Sequence, residues 1–244
     1  MSGKADIISQ LQRDILRLQG FRSAQRDHSP VIDLGQVNSV FPDQTFPVGT
    51  IHEFLCPVTE HAAAASGFVS ALTGTLMQYG GACIWISVAR TLFPPSLKTF
   101  GIEPDKVIFI DLQRTKDALW ALEEALKCEG LAAVVAEIPE IGFTQSRRLQ
   151  LAVEQSRVTG FILRTSSRPV SATACAARWQ ITSLPSGIED NMPGVGYPRW
   201  QVELLKVRNG RTGSWKMEWS ESRFTVLVDQ PVSLNIPDHQ LKTG

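Results

Sequence analysis

From Val31 to Leu163 the chain alternates short, wholly apolar runs with longer stretches of helical period, and Gly or Pro punctuates the changes. A run with no polar face cannot lie on a sheet surface. The strands it forms must be covered on both sides, and the helical stretches between them supply that cover. The spacing predicts strands at Ile51–Leu55, Ala82–Val88, Val107–Leu112, Ala132–Glu137 and Gly160–Leu163. Helices are expected at Ala62–Tyr79, Ser96–Phe100, Lys116–Cys128 and Thr144–Arg157. The fold class that follows is α/β, a mostly parallel sheet flanked by helices.

After Ser171 the helices stop. Arg178–Ser183, Trp200–Val207, Ser214–Trp219 and Arg223–Leu227 read as strands, and Asn209-Gly210-Arg211-Thr212-Gly213 as a hairpin connection, so C-terminal antiparallel strands are expected. The stretch Pro185–Pro198, with Pro193, Gly194 and Gly196, reads as a long loop. At the other end, Ile7, Ile8, Leu11, Ile15 and Leu18 form one stripe, an N-terminal amphipathic helix followed by a polar connector. The domain reading is 1–30 helix and connector, 31–228 main domain, 229–244 tail.

The 244 residues balance 24 Lys+Arg against 24 Asp+Glu, which excludes a uniformly basic nucleic-acid coat. The balance is a cancellation. Residues 1–140 hold 11 basic and 16 acidic side chains, leaving 13 and 8 for residues 141–244. Cys56, Cys83, Cys128 and Cys175 lie far apart among small or apolar neighbours, which reads as buried thiols with neither zinc site nor disulfide framework. With no signal-peptide core and no apolar run of ~18 residues, a cytoplasmic protein without membrane contact is expected.

An α/β chain invites a search for a phosphate loop after its first strand. Such a loop needs glycines that turn backbone N–H groups toward the anion, a Lys for the outer phosphates and Ser/Thr for magnesium. Residues 55–63 read Leu-Cys-Pro-Val-Thr-Glu-His-Ala-Ala, with no glycine and no lysine. Glu60 puts negative charge where a phosphate would sit. The strand ending at Ala89 offers no acid to polarise water, whereas Ala132–Glu137 ends in one.

The stretch from Phe46 to Pro57 resembles the approach to the nucleotide-binding core of RecA recombinases. In that register the loop's first glycine falls on Cys56, its second on His61, its lysine on Ala62 and its Ser/Thr on Ala63. The water-polarising acid falls near Ala89 and the metal-strand acid on Glu137. Together with IHEF (Ile51–Phe54), Trp85–Ile102, Ala121–Ile138, Ser146–Arg164 and Val202–Trp215, the pattern resembles the ImuA family of error-prone repair proteins, from about Leu34 to Phe224. The resemblance implies a RecA-like fold with a degenerate phosphate loop and a damage-inducible, SOS-type accessory role in translesion DNA synthesis. The implied partners are a Y-family-like protein and a replicative-type error-prone polymerase. No enzymatic activity, cofactor or small-molecule substrate is expected. Two rival readings share the scaffold: a SulA-like cell-division inhibitor and a weak RecA-type ATPase.

Function without catalysis resides in surfaces. Arg147, Arg148, Arg157 and Arg164 surround one predicted helix and the strand after it, a candidate surface for DNA or a partner. Lys206, Arg208, Arg211 and Lys216, interleaved with Trp200, Trp215 and Trp219, form a second candidate, where aromatic faces beside cations suit single-stranded DNA. Phe93-Pro94-Pro95 and Leu234–Leu241 are candidate partner contacts.

Overall fold

Residues 30–166, 171–187 and 196–227 are described by a computed structural model of the chain. The expected N-terminal helix, the middle of the long loop at 188–195 and the tail at 229–244 lie outside the described residues. The predicted α/β rhythm is present as β1 (Ile51–Leu55), α1 (Thr59–Met77), β2 (Ala82–Ser87), β3 (Val107–Asp111), α2 (Thr115–Ala125), β4 (Leu131–Ile138), α3 (Phe143–Ser156) and β5 (Thr159–Arg164). The helix-free part follows as β6 (Ala177–Gly187), β7 (Tyr197–Val207), β8 (Gly213–Ser220) and β9 (Arg223–Leu227). Short 3-10 segments at Gly35–Val40, Pro94–Phe100 and Pro104–Lys106 complete it.

The nine strands described form one sheet in the order β3-β2-β4-β5-β1-β6-β7-β8-β9. The expected switch to antiparallel pairing comes one strand later than the change of rhythm. β6 runs parallel to β1, with His52 opposite Ala177 and Leu55 opposite Gln180, and only β7 to β9 are antiparallel. The connection from β5 is irregular backbone in its described residues, 165–166 and 171–176. It is tied to α3 and its approach, where the Ala174 N–H donates to Ser146 Oγ at 2.9 Å and the Ser171 hydroxyl to the Ile141 carbonyl at 3.2 Å. β6 and β7 also run on to Gly187 and from Tyr197, so Pro185 and Pro198 belong to strands rather than to the loop.

The helices cover both faces. α1 and the Pro94–Phe100 segment lie on one, where Phe54, Phe68, Trp85, Phe161, Trp179 and Trp200 make a largely aromatic core. α2 and α3 lie on the other, over Ile51, Ile86, Val134 and Ile162. Gly74 is required on the first face, because a Cβ there would overlap the Phe100 carbonyl oxygen.

β1 sits between β5 and β6 with both faces buried, so its two polar residues each need internal partners. On the aromatic face His52 Nε2 meets the Pro47 carbonyl at 2.7 Å, and Nδ1 accepts from Trp179 Nε1 at 3.2 Å. That pair of bonds fixes the neutral ring with its proton on Nε2. Phe46 stacks on it at 4.4 Å. On the other face Glu53 accepts from Arg164 Nη1 at 3.1 Å, from Arg178 Nε at 2.7 Å and from the Thr173 hydroxyl.

Burial lowers the His52 pKa from 6.5 to about 4, and the hydrogen bond to Pro47 only partly opposes the shift. The unfolded chain therefore takes up a proton that the folded chain refuses. Stability from this group is complete above pH 6.5 and lost as pH falls toward 4, a contribution of about 3 kcal/mol. Urea unfolding across that window is expected to show the loss, and His52→Gln to flatten its slope. An unchanged slope in the variant would exclude His52 as its source.

Candidate functional site

β1 points its C-terminal end at the N-terminus of α1, the place where a phosphate loop would stand. Residues 56–58 alone separate strand from helix. The Cys56 N–H donates to the Arg164 carbonyl at 2.8 Å, Pro57 has no N–H to offer, and the Ala62 N–H already closes onto the Val58 carbonyl at 3.1 Å. α1 thus begins at Thr59, so that Glu60, His61, Ala62 and Ala63 are helical. Without glycines the backbone has no reason to leave the helical region, and the helix winds over the loop positions. Glu60 adds its carboxylate to the exposed first turn.

Glu137, at the end of β4, is 3% exposed. Its Oε1 accepts from Trp85 Nε1 at 2.8 Å, and its Oε2 from the hydroxyls of Ser87 at 3.0 Å and Thr91 at 2.9 Å. Ser87 Oγ in turn accepts the N–H groups of Ala89 and Arg90, which sets the turn after β2. Nearby, Cys56 is buried, and burial followed by the charge of Glu137 pushes its thiol up to about 12, an inert group.

The RecA-like arrangement implies a magnesium nucleotide, and these residues do not fit one. The loop has no glycine and no cation, and the carboxylate that would approach the metal has its oxygens committed to three donors. Among the described residues no cluster of three His, Cys, Asp or Glu is placed to hold a metal ion.

What remains beside the filled loop is a groove of about 430 Å³ along α1. Ala63, Ser66, Gly67 and Ser70 form its floor, and Leu92 and Phe93 its rim. Phe93 is 68% exposed, while Pro94 and Pro95 open the 3-10 segment that packs on α1.

The expected basic and aromatic surfaces are only partly surfaces. Arg164 is buried against Glu53, because β5 extends through it and its side chain turns toward the core. Trp200 and Trp219 are 3% exposed, and Trp215 packs half-buried on the same aromatic core, so register turns the indoles inward. Lys206 donates to the Thr173 carbonyl at 3.2 Å and Arg208 to the Ala174 carbonyl at 2.8 Å. Lys216 is half-buried and engaged. Arg148 pairs with Glu123 at 2.7 Å. Arg147, Arg157 and Arg211 are exposed, the first on α3, the second just past its end in a left-handed turn, the third in the β7–β8 turn. Cys56, Cys83 and Cys175 are buried as expected, whereas Cys128 is exposed just past α2. The partners of Glu137 escaped the sequence reading, although Ser87 and Glu137 stand at the ends of neighbouring apolar runs, with Trp85 two residues before Ser87. No helix of the described residues is long and apolar enough to cross a membrane.

No protein-family model matches the chain. Two curated relatives from two strains of Caulobacter vibrioides, each named Protein ImuA, are 35% identical over 211 residues, covering 81% of this chain and 86% of theirs. The chain belongs to the ImuA family. Membership implies involvement in damage-induced mutagenesis. Among solved structures the RadB recombinase superposes with a TM-score of 0.50 at 16% identity, covering 72% of this chain and 90% of RadB. The fold of this ImuA-family chain is therefore RecA-like.

Replacing Glu137 by Gln keeps its shape but turns an NH₂ toward groups that are themselves donors. It is expected to cost about 1–3 kcal/mol, read as a melting temperature lowered by several degrees. A variant as stable as the parent would show that the three hydrogen bonds contribute nothing.

Proposed function

We propose that the chain is a non-catalytic RecA-like accessory factor in damage-induced translesion DNA synthesis, bridging a Y-family-like protein and a replicative-type polymerase. The observation that supports this reading is the three-residue connection from β1 to α1, which has neither the glycines nor the lysine of a triphosphate cradle. Binding energy on such a scaffold comes from shape and charge at its surfaces. Single-stranded DNA does not enter the proposal. Of the tryptophans that would have stacked bases, Trp200 and Trp219 are buried and Trp215 is half-buried, and Arg148, Arg164, Lys206 and Arg208 each bond within the chain, which leaves Arg147, Arg157 and Arg211 exposed.

Two measurements test it. Titration with fluorescent ATP and magnesium is expected to give no saturable binding, and micromolar binding abolished by Glu137→Ala would overturn the non-catalytic reading. From damaged cells, the tagged chain is expected to co-purify with a Y-family-like protein and a replicative-type polymerase. Recovery of only a tubulin-like division protein would place it instead with the cell-division inhibitors.

A further inference from the structure

On the face of the sheet opposite the filled loop, α2 and the start of α3 flank a cleft of about 950 Å³. Its walls are Leu119, Trp120, Ile141 and Leu149. Trp120 is 67% exposed, and Phe143, the first residue of α3 and next in sequence to the lining residue Gly142, is 59% exposed. Aromatic side chains this open at the lip of an apolar cleft mark a binding surface rather than ordinary surface composition.

The polar part of the cleft is unbalanced. Arg164 lines it, and its side chain is 5% exposed. Glu53 is the one carboxylate that both Arg164 and Arg178 bond, so this buried cluster holds two cations against one anion. Arg164 Nε is buried with no hydrogen-bond partner among the described residues. A buried donor left unpaired costs about 1–3 kcal/mol, and an uncompensated buried charge costs more. Around the mouth stand Lys116, the Arg148–Glu123 pair and Glu140, which accepts from the Ser166 hydroxyl and is further engaged. Among the described residues the charged groups of cleft and floor are Lys116, Arg148, Arg164 and Arg178 against Glu53, Glu123 and Glu140, an excess of one positive charge.

We infer that this cleft docks an extended segment of a partner protein in which a large apolar side chain is followed or preceded closely by Asp or Glu. The apolar side chain lies between Trp120 and Leu149, and the carboxylate meets the Arg164 and Lys116 end. A polypeptide fits better than a small anion, because the apolar walls continue to the surface at Trp120 and most of the cleft is not polar. The inference goes beyond the non-catalytic reading and shares only Arg164 with it, the backbone carbonyl there and the side chain here. A chain that did bind ATP would still dock the same segment.

The probe is a displayed library of short random peptides, panned against the full chain. Recovered peptides are expected to pair an aromatic residue, Leu or Met with a nearby acid. A synthetic peptide of their consensus is expected to bind in fluorescence anisotropy. Its affinity should fall roughly tenfold with Trp120→Ala, and roughly tenfold again when its own acid becomes Asn or Gln. Lys116→Glu, an exposed change that leaves the buried cluster intact, should weaken it, while Phe93→Ala on the other face should not; circular dichroism checks that each variant is folded. Recovery of no peptides, of peptides without acids, or of a consensus indifferent to Trp120→Ala would overturn the inference. So would self-association of the chain that Trp120→Ala abolishes, since that would make a second copy the occupant.

Discussion

A carboxylate at the centre of a strand buried on both faces sets the terms for everything around it. Glu53 is fully buried, and desolvating such a group costs several kcal/mol unless cations and donors reach it. The cations come from far away in the chain. Arg164 ends β5, Arg178 lies near the start of β6, and Thr173 is brought in by the connection between them. Three segments that share no local sequence logic are therefore fixed against β1 by one side chain. In the parallel placement of β6, Arg178 stands directly opposite Glu53. If β6 ran the other way, Arg178 would leave Glu53 and the antiparallel extension would have no fixed base. Removing one partner of a buried pair typically costs about 3–5 kcal/mol, so the cluster governs register more than it adds net stability.

The sequence makes legible whatever depends on neighbours along the chain. Ile51–Leu55 and Arg223–Leu227 match their strands to the residue, because an apolar run ends where turn residues begin. α1 was expected from Ala62 and starts at Thr59, since the missing glycines free positions 59–61 to become helix. The absence that argued against a phosphate loop thus also moved the helix boundary. What stays illegible depends on partners far along the chain. Arg164 and Arg178 lie 111 and 125 positions from Glu53, and no local pattern announces that pairing. The tryptophans of β7 and β8 alternate with polar residues in either orientation, so only the register against β6 decides that Trp200, Met217 and Trp219 face the aromatic core.

Charge shows the same division. The excess of basic over acidic residues in 141–244 reads from sequence as a basic face. In the fold much of it turns inward or pairs. Arg164 and Arg178 serve Glu53, Arg199 pairs with Glu218, Arg223 with Glu221, and Arg148 with Glu123 of the acidic half. Part of the opposition between the two halves is therefore the ion pairing that joins them. An exposed pair is worth about 0–1 kcal/mol, so the Glu53 cluster, rather than the number of pairs, carries the structural weight.

The two faces differ in what they offer a partner. On the α1 face, Glu137 has its oxygens filled by Trp85, Ser87 and Thr91, and the neighbouring loop has been drawn into helix. Its acid is satisfied from within, although His61 Nδ1 and Thr73 Oγ1 of α1 are buried without a hydrogen-bond partner among the described residues. On the α2–α3 face, the charge introduced by Glu53 and its two arginines is left one anion short beside an open cleft. A nucleotide-driven switch works by differential contacts to a γ-phosphate in two states, and a ligand without such differential contacts shifts no equilibrium. On the proposed reading this scaffold has no such ligand. Its engagement of partners then follows their concentration and its own, and the specificity must reside in which segment brings the missing anion.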